Sequence, residues 1–237
     1  MATVRSSLTA SLAVLVVLLA ALMTQGLGVR GVVVGLGCGA VLCAAVVRGH
    51  ATLGVGGLGL ADGVTLARAT LACALAALVA DPSLGPPASA MVVPFAVVAL
   101  ALDAVDGRVA RSTGTVTAFG ARFDGEADAF LLLVLSVHVA GSYGSWVLAI
   151  GVARYAFGVG GSVWPWLRAT LPHRYWRKVV AAVQGVVLTV AAADVLPSAW
   201  TYVALGAALV LLAESFGRDV VWSWLHRAGP RIRVRVP

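Results

Sequence analysis

Charge is what this chain has least of. Only 11% of its 237 residues are Asp, Glu, Lys or Arg, with 10 acids in all and Lys178 as the single lysine. A soluble domain would carry roughly a quarter charged residues, so the scarcity excludes an ordinary water-soluble fold. The three cysteines, Cys38, Cys43 and Cys73, lie inside apolar runs and have no metal-ligand spacing. That excludes a disulfide framework or thiolate metal site and leaves them as small packing residues. The apolar/polar alternation of barrel strands is missing too, which leaves helices as the spanning element.

What the chain does have is apolar length. Hydrophobic residues make up 60% of it and the mean hydropathy is +0.97. With about 20 residues per span, apolar runs near 8–24, 29–47, 64–80, 88–104, 126–141, 145–161, 179–196 and 199–216 predict about eight transmembrane helices. The first run has a short basic start at Arg5 but no small-x-small cleavage site, so it reads as a retained helix rather than a signal peptide.

With an even number of spans the two termini share a side. Nearly every arginine, from Arg5 and Arg48 to the tail, then falls on that side, with only Arg30 opposite and Arg154 inside a span. The far-side loops DPSLGPPAS and ADVLPSA carry no Lys or Arg. By the positive-inside rule the termini are cytoplasmic. The net charge of +7 is therefore mainly a topology signal and not a nucleic-acid footprint. Trp164, Trp166, Trp176, Trp222 and Trp224 fall at the same ends of the helices, as interface anchors do.

Five of the 10 acids, four of them aspartates, sit in one window, DAVDGRVARSTGTVTAFGARFDGEAD. Its pattern is D-x-x-D-G-x-x-A-R, eight residues, then G-x-x-x-D-x-x-x-D, with Asp103, Asp106, Asp124 and Asp128 as the acids. Carboxylates at membrane depth mark functional sites by default. Asp103 and Asp106 share one helix face, as do Asp124 and Asp128 on the next helix. A short connection carrying Gly114 and Gly120 predicts that these two helices are antiparallel neighbours, so that four carboxylates converge at the cytoplasmic end. Such a cluster calls for compensating cations, and oxygen-only ligands favour Mg²⁺ or Mn²⁺. Two such ions could bridge a pyrophosphate. The missing bulk of Gly107 and Ala110 would admit a flat nucleotide, Arg111 could grip a phosphate, and Gly120 would keep the second helix open.

This window resembles the signature of the CDP-alcohol phosphotransferase (CDP-alcohol phosphatidyltransferase) family of integral membrane enzymes. All fixed positions match: Asp103, Asp106, Gly107, Ala110, Arg111, Gly120, Asp124 and Asp128. The resemblance implies an all-α polytopic membrane protein with a six-helix core and two extra N-terminal transmembrane helices. It divides the chain into a hairpin at 1–50, a Gly-rich joint at 51–61, a catalytic core at 62–216 and a basic tail at 217–237. It implies metal ligation by Asp103, Asp106, Asp124 and Asp128, with Asp128 also the general base. Gly107, Ala110, Arg111 and Gly120 would line the cytidine nucleotide. The implied reaction moves a phosphatidyl group from CDP-diacylglycerol to a small polar alcohol and releases CMP. Family members are often homodimers.

Two weaker signals accompany the window. LADGVTLAR resembles the family's P-N-x-x-T-x-x-R stretch at Thr65 and Arg68, while Asp62 stands for asparagine and Ala61 for proline. The resemblance implies that Asp62, Thr65 and Arg68 take part in binding the nucleotide, and Asp62 is also read as a helix cap. The second signal is cationic: Arg154 within a span, then Arg174, Arg177 and Lys178 in HRYWRK. A buried Arg154 needs an anion, either a motif aspartate or a phosphate on the acceptor. Lys178 with Gln184 faintly echoes a stretch of the enzymes that act on glycerophosphate, which points to a phosphorylated acceptor.

Other readings compete. A soluble CDP-alcohol could donate to a lipid acceptor on the same scaffold. A cation-coupled transporter would scatter acids along several spans, whereas here they bunch at one edge. Prenyl transfer would want D-D-x-x-D runs, which are absent. Gly54, Gly56 and Gly59 match G-x-G-x-x-G, but without a βαβ unit the match carries no dinucleotide site.

Overall fold

The computed structural model describes residues 2–53, 59–81, 87–113, 117–164 and 175–225; for 106–113 it describes the helix but not the side chains. The described residues form α1 (Ala2–Thr24), α2 (Val29–Leu53), α3 (Leu60–Ala80), α4 (Pro87–Thr113), α5 (Ala118–Tyr143), a 3₁₀ turn (Ser145–Val147), α6 (Leu148–Val163), α7 (Tyr175–Ala193) and α8 (Ser198–Leu225). No strand occurs among them. Each expected span corresponds to one of these helices. Five helices, α1, α2, α3, α7 and α8, are long and apolar enough by themselves to cross a membrane. The apolar stretch of α4 is shorter, Ala90–Val105, and α6 has 16 residues. It is in α4, α5 and α6 that the charged residues Asp103, Asp124, Glu126, Asp128 and Arg154 interrupt the apolar pattern.

The bundle is organised around α3, which packs against α1, α2, α4 and α5. Its sequence explains how one helix takes four neighbours. Ala69, Ala72, Ala74 and Ala77 are at most 2% exposed, and such small side chains let helix axes approach closely. On α2, Gly31, Gly35 and Gly39 form a small-residue stripe at four-residue spacing. A Cβ on Gly31 would lie 2.7 Å from the carbonyl oxygen of Ala77, and one on Gly35 would lie 3.0 Å from Ala77 Cβ. Close approach of α2 to α3 therefore requires glycine there. The N-terminal hairpin is also tied down polarly. Asp81, just past α3, accepts a hydrogen bond from the Gly28 N–H at the start of α2 (2.5 Å). On the outer face of the hairpin, Val14, Val17, Val29, Val33 and Val41 are more than half exposed, as befits a lipid-facing surface.

The expected direct pairing of α4 with α5 gives way to a different arrangement. Among the described residues, α4 packs chiefly against α3 and α5 packs against both α3 and α6, so that α3 is the neighbour the two share. The physical reason is the alanine-rich surface of α3, which both neighbours can approach more closely than they approach one another. One end of this three-helix unit holds the motif aspartates.

Candidate active site

Among the described residues Arg68 is the largest fully buried side chain, at 1% exposure. It projects from the third turn of α3 toward the motif. Its Nη1 donates to Asp103 Oδ1 on α4. Its Nη2 donates to Asp124 Oδ1 on α5 at 2.6 Å and reaches Asp128 Oδ1 at 3.0 Å. One guanidinium therefore joins three carboxylates from two helices, in the planar fork geometry that Arg offers and Lys does not. Arg68 Nε is buried without a hydrogen-bond partner.

One cation against three carboxylates leaves a surplus of negative charge. The carboxylate oxygens of Asp103, Asp124 and Asp128 all lie within 4.8 Å of one another and are half-buried. Three hard oxygen donors at that separation suit a divalent ion such as Mg²⁺ or Mn²⁺. Asp106 belongs to the backbone of α4 one turn beyond Asp103, as do Gly107, Ala110 and Arg111 further along. Their side chains lie outside the described residues.

The start of α3 is keyed to the start of α5. Asp62 is buried and closes a capping interaction by accepting from the Gly59 N–H at 2.9 Å. Its other oxygen faces Gly120, where an added Cβ would come within 2.6 Å. Gly120 in turn donates its N–H to Thr117 Oγ1 at 2.9 Å, the N-cap of α5. Thr65 is buried one turn before Arg68, its hydroxyl donating to the Ala61 carbonyl.

Beside the aspartates lies a second space. A cavity of about 390 Å³ between α5, α6, α7 and α8 is lined by Asp128, Glu126, Arg154, Arg177, Gln184, Ser215 and Asp219 among others. Asp128 thus belongs to both the carboxylate cluster and this cavity. Arg154 differs from expectation: it is half-exposed and pairs with Glu126 (3.1 Å), which is neither a motif aspartate nor a ligand. Gly125 makes room for it, since a Cβ there would meet Arg154 Nη2 at 2.8 Å. Arg177 pairs with Asp219 at 2.8 Å. Gln184 is fully buried, its Nε2 bonded to the Ala208 carbonyl and its Oε1 without a partner. Lys178 is exposed and does not line the cavity, and Arg174 lies outside the described residues.

Gly125, Glu126 and Asp219 therefore join the site without having been singled out from the sequence. Glu126 and Gly125 stand between the motif aspartates, where the fixed pattern drew attention past them. For Asp219, only its acidity in a charge-poor chain was a signal.

These features define a class: a polytopic helical membrane protein with a cluster of three carboxylates able to hold a metal ion. The chain belongs to the CDP-alcohol phosphatidyltransferase family, whose model matches residues 58–213. The match begins just before α3 and ends within α8, so α1 and α2 precede it. The family comprises membrane transferases that act on CDP-alcohols and generally depend on divalent metal. Neither the curated proteins nor the solved structures give a match.

Proposed function

We propose that this protein transfers a phosphatidyl group from CDP-diacylglycerol to a small polar alcohol, releasing CMP, on the cytoplasmic side of a plasma membrane. The observation that carries this reading is the position of Asp128, which lines the 390 Å³ polar cavity and also belongs to the carboxylate cluster around Arg68. Donor and acceptor would meet at that carboxylate. The division of labour follows the sequence: the hairpin 1–50, the joint 51–61, the core 62–216 holding the chemistry, and the basic tail 217–237 at the lipid surface.

Asp103, Asp106, Asp124 and Asp128 would hold two divalent ions, Mg²⁺ or Mn²⁺, whose positive charge offsets that of a bound pyrophosphate. Arg68 holds Asp103, Asp124 and Asp128 in one fixed arrangement, which is the preorganisation such a site needs. Gly107, Ala110, Arg111 and Gly120, with Asp62 and Thr65, would line the cytidine nucleotide. Asp128 would take the proton from the acceptor hydroxyl as its oxygen bonds to the lipid-bearing phosphorus. The pyrophosphate P–O bond breaks and CMP leaves with the electron pair.

Arg154 and Arg177, with Lys178 and Arg174 nearby in sequence, suit an acceptor that itself carries a phosphate. In the present arrangement Glu126 and Asp219 satisfy the two cavity arginines. A phosphate would take over part of that role, which favours an anionic acceptor over a neutral one. A second copy of the chain as a homodimer partner is compatible with this reading.

The test is CMP release by the purified protein with CDP-diacylglycerol, Mg²⁺ or Mn²⁺, and one alcohol at a time: glycerol 3-phosphate, inositol 1-phosphate, inositol or serine. CMP that appears with one acceptor and disappears with chelator would establish the reaction and the substrate. No CMP with any of them, but turnover of a soluble CDP-alcohol with diacylglycerol, would reverse the lipid side. No turnover with either donor would overturn the enzymatic reading and favour a cation-coupled transporter.

A further inference from the structure

A second cavity, about 540 Å³ and almost wholly apolar, opens on the opposite side of α5 from the polar one. One of its walls is α2, a helix that precedes the family match. Val34, Gly37, Cys38, Val41, Leu42 and Ala45 line it at intervals of three and four residues, which is one continuous stripe of a helix. At 1.5 Å per residue, the stripe is about 16 Å long and runs along the helix axis. Since α2 is apolar and long enough to span a membrane, that axis is also the general direction of lipid chains. The opposite wall is Ala69 and Cys73 of α3 with Phe123, Ala127 and Phe130 of α5.

The polar residues of this groove are confined to one place. Glu126 and Tyr155 line it, and Glu126 also lines the polar cavity, so the two spaces share a residue on α5. Glu126 pairs with Arg154. Phe123 and Ala127 are chain neighbours of Asp124 and Asp128. A lipid with its head at the aspartates therefore has an apolar channel beginning beside its glycerol and leading away along the bundle. We infer that this groove holds an acyl chain of CDP-diacylglycerol, and that the extra N-terminal hairpin supplies its outer wall. The inference rests on the proposed reaction for the identity of the lipid. The groove's length, direction and apolar lining, and the Glu126 wall that it shares with the polar cavity, are observed independently.

Gly37 offers a clean test. A Cβ added there meets nothing within 4 Å, so a larger side chain leaves the backbone in open space on the wall of the groove. Gly37→Phe is compared with Gly141→Phe, an exposed helical glycine with equally open surroundings and no part in the groove. CMP release is measured with dioleoyl and with dihexanoyl CDP-diacylglycerol. Gly37→Phe is expected to lower the kcat/KM ratio of long over short chain by about tenfold, the factor for losing about two buried methylenes. Gly141→Phe should leave that ratio unchanged. An unchanged ratio in Gly37→Phe, or an equal change in both variants, would overturn the inference.

Native mass spectrometry of lipid retention separates this failure from failure of the reaction itself. The full-length protein, washed in detergent, is loaded with dioleoyl CDP-diacylglycerol and the retained lipid is counted. If no variant releases CMP but the wild type retains the lipid and Gly37→Phe does not, the groove stands and the enzymatic reading falls. Equal retention by wild type and Gly37→Phe would sink the groove regardless of activity.

Discussion

The carboxylate of Asp62 occupies the space that a side chain on Gly120 would need: an added Cβ would stand 2.6 Å from Asp62 Oδ1. The first turn of α3 is thereby locked against the first turn of α5, two helices that carry Arg68 and Asp124 further along.

Gly120→Ala should therefore push Asp62 off its cap and shift α5 relative to α3. Overpacking of this kind costs about 1–3 kcal/mol. Because Asp62 is buried and bonded to the Gly59 N–H, it has little freedom to retreat. We expect a lowered melting temperature together with a loss of CMP release larger than the stability change explains. An alanine variant with wild-type melting and activity would show that the α3–α5 contact has no consequence.

Arg68→Ala removes the one cation shared by three carboxylates. Breaking a buried ion pair costs about 3–5 kcal/mol, and the low end applies because the aspartate side chains are 34–43% exposed. The uncompensated carboxylates should then depend more heavily on divalent ions. Melting in chelator and in Mn²⁺ checks this: the rise in Tm on adding Mn²⁺ should be larger in Arg68→Ala than in wild type. Arg68→Lys should recover charge but not activity, since an ammonium cannot reach all three carboxylates in a plane.

Asp128→Asn keeps the shape of the side chain and removes its ability to accept a proton. If Asp128 is the base, kcat should fall by about 10²–10⁴ while the protein stays folded. Retained kcat with a raised metal requirement would make Asp128 a ligand alone.

The two cavity arginines should separate in their effects on stability. Arg154 and Glu126 are 48% and 62% exposed, so Arg154→Ala should cost less than about 1 kcal/mol. Arg177→Ala strands Asp219, whose side chain is only 9% exposed, and should cost about 2–3 kcal/mol. Thermal melts in detergent would read both. If the acceptor carries a phosphate, Arg154→Ala should raise KM for the acceptor and leave KM for CDP-diacylglycerol alone.

Much of this protein was written in its sequence. Apolar runs separated by polar loops dictate eight helices, because in hydrocarbon every backbone N–H and C=O must be satisfied within the segment. The spacing of Asp103, Asp106, Gly120, Asp124 and Asp128 was legible as a candidate site because acids are rare in this chain and costly at membrane depth. Helical periodicity was enough to say which of them share a face.

Which helix stands between the acids was not legible. Sequence adjacency suggested that α4 meets α5, but burial energy is indifferent to chain order, and the alanines of α3 let it take the central position. That placement turns Arg68, one arginine among many in the sequence, into the partner of three aspartates. It gives Arg154 Glu126, an acid outside the motif, as partner and sets Asp62 against Gly120. It also brings α2, the glycine-striped helix outside the family match, alongside α3 and α5 to wall an apolar groove. Periodicity fixes the faces of single helices; only the packing of those faces in three dimensions decides which side chains meet.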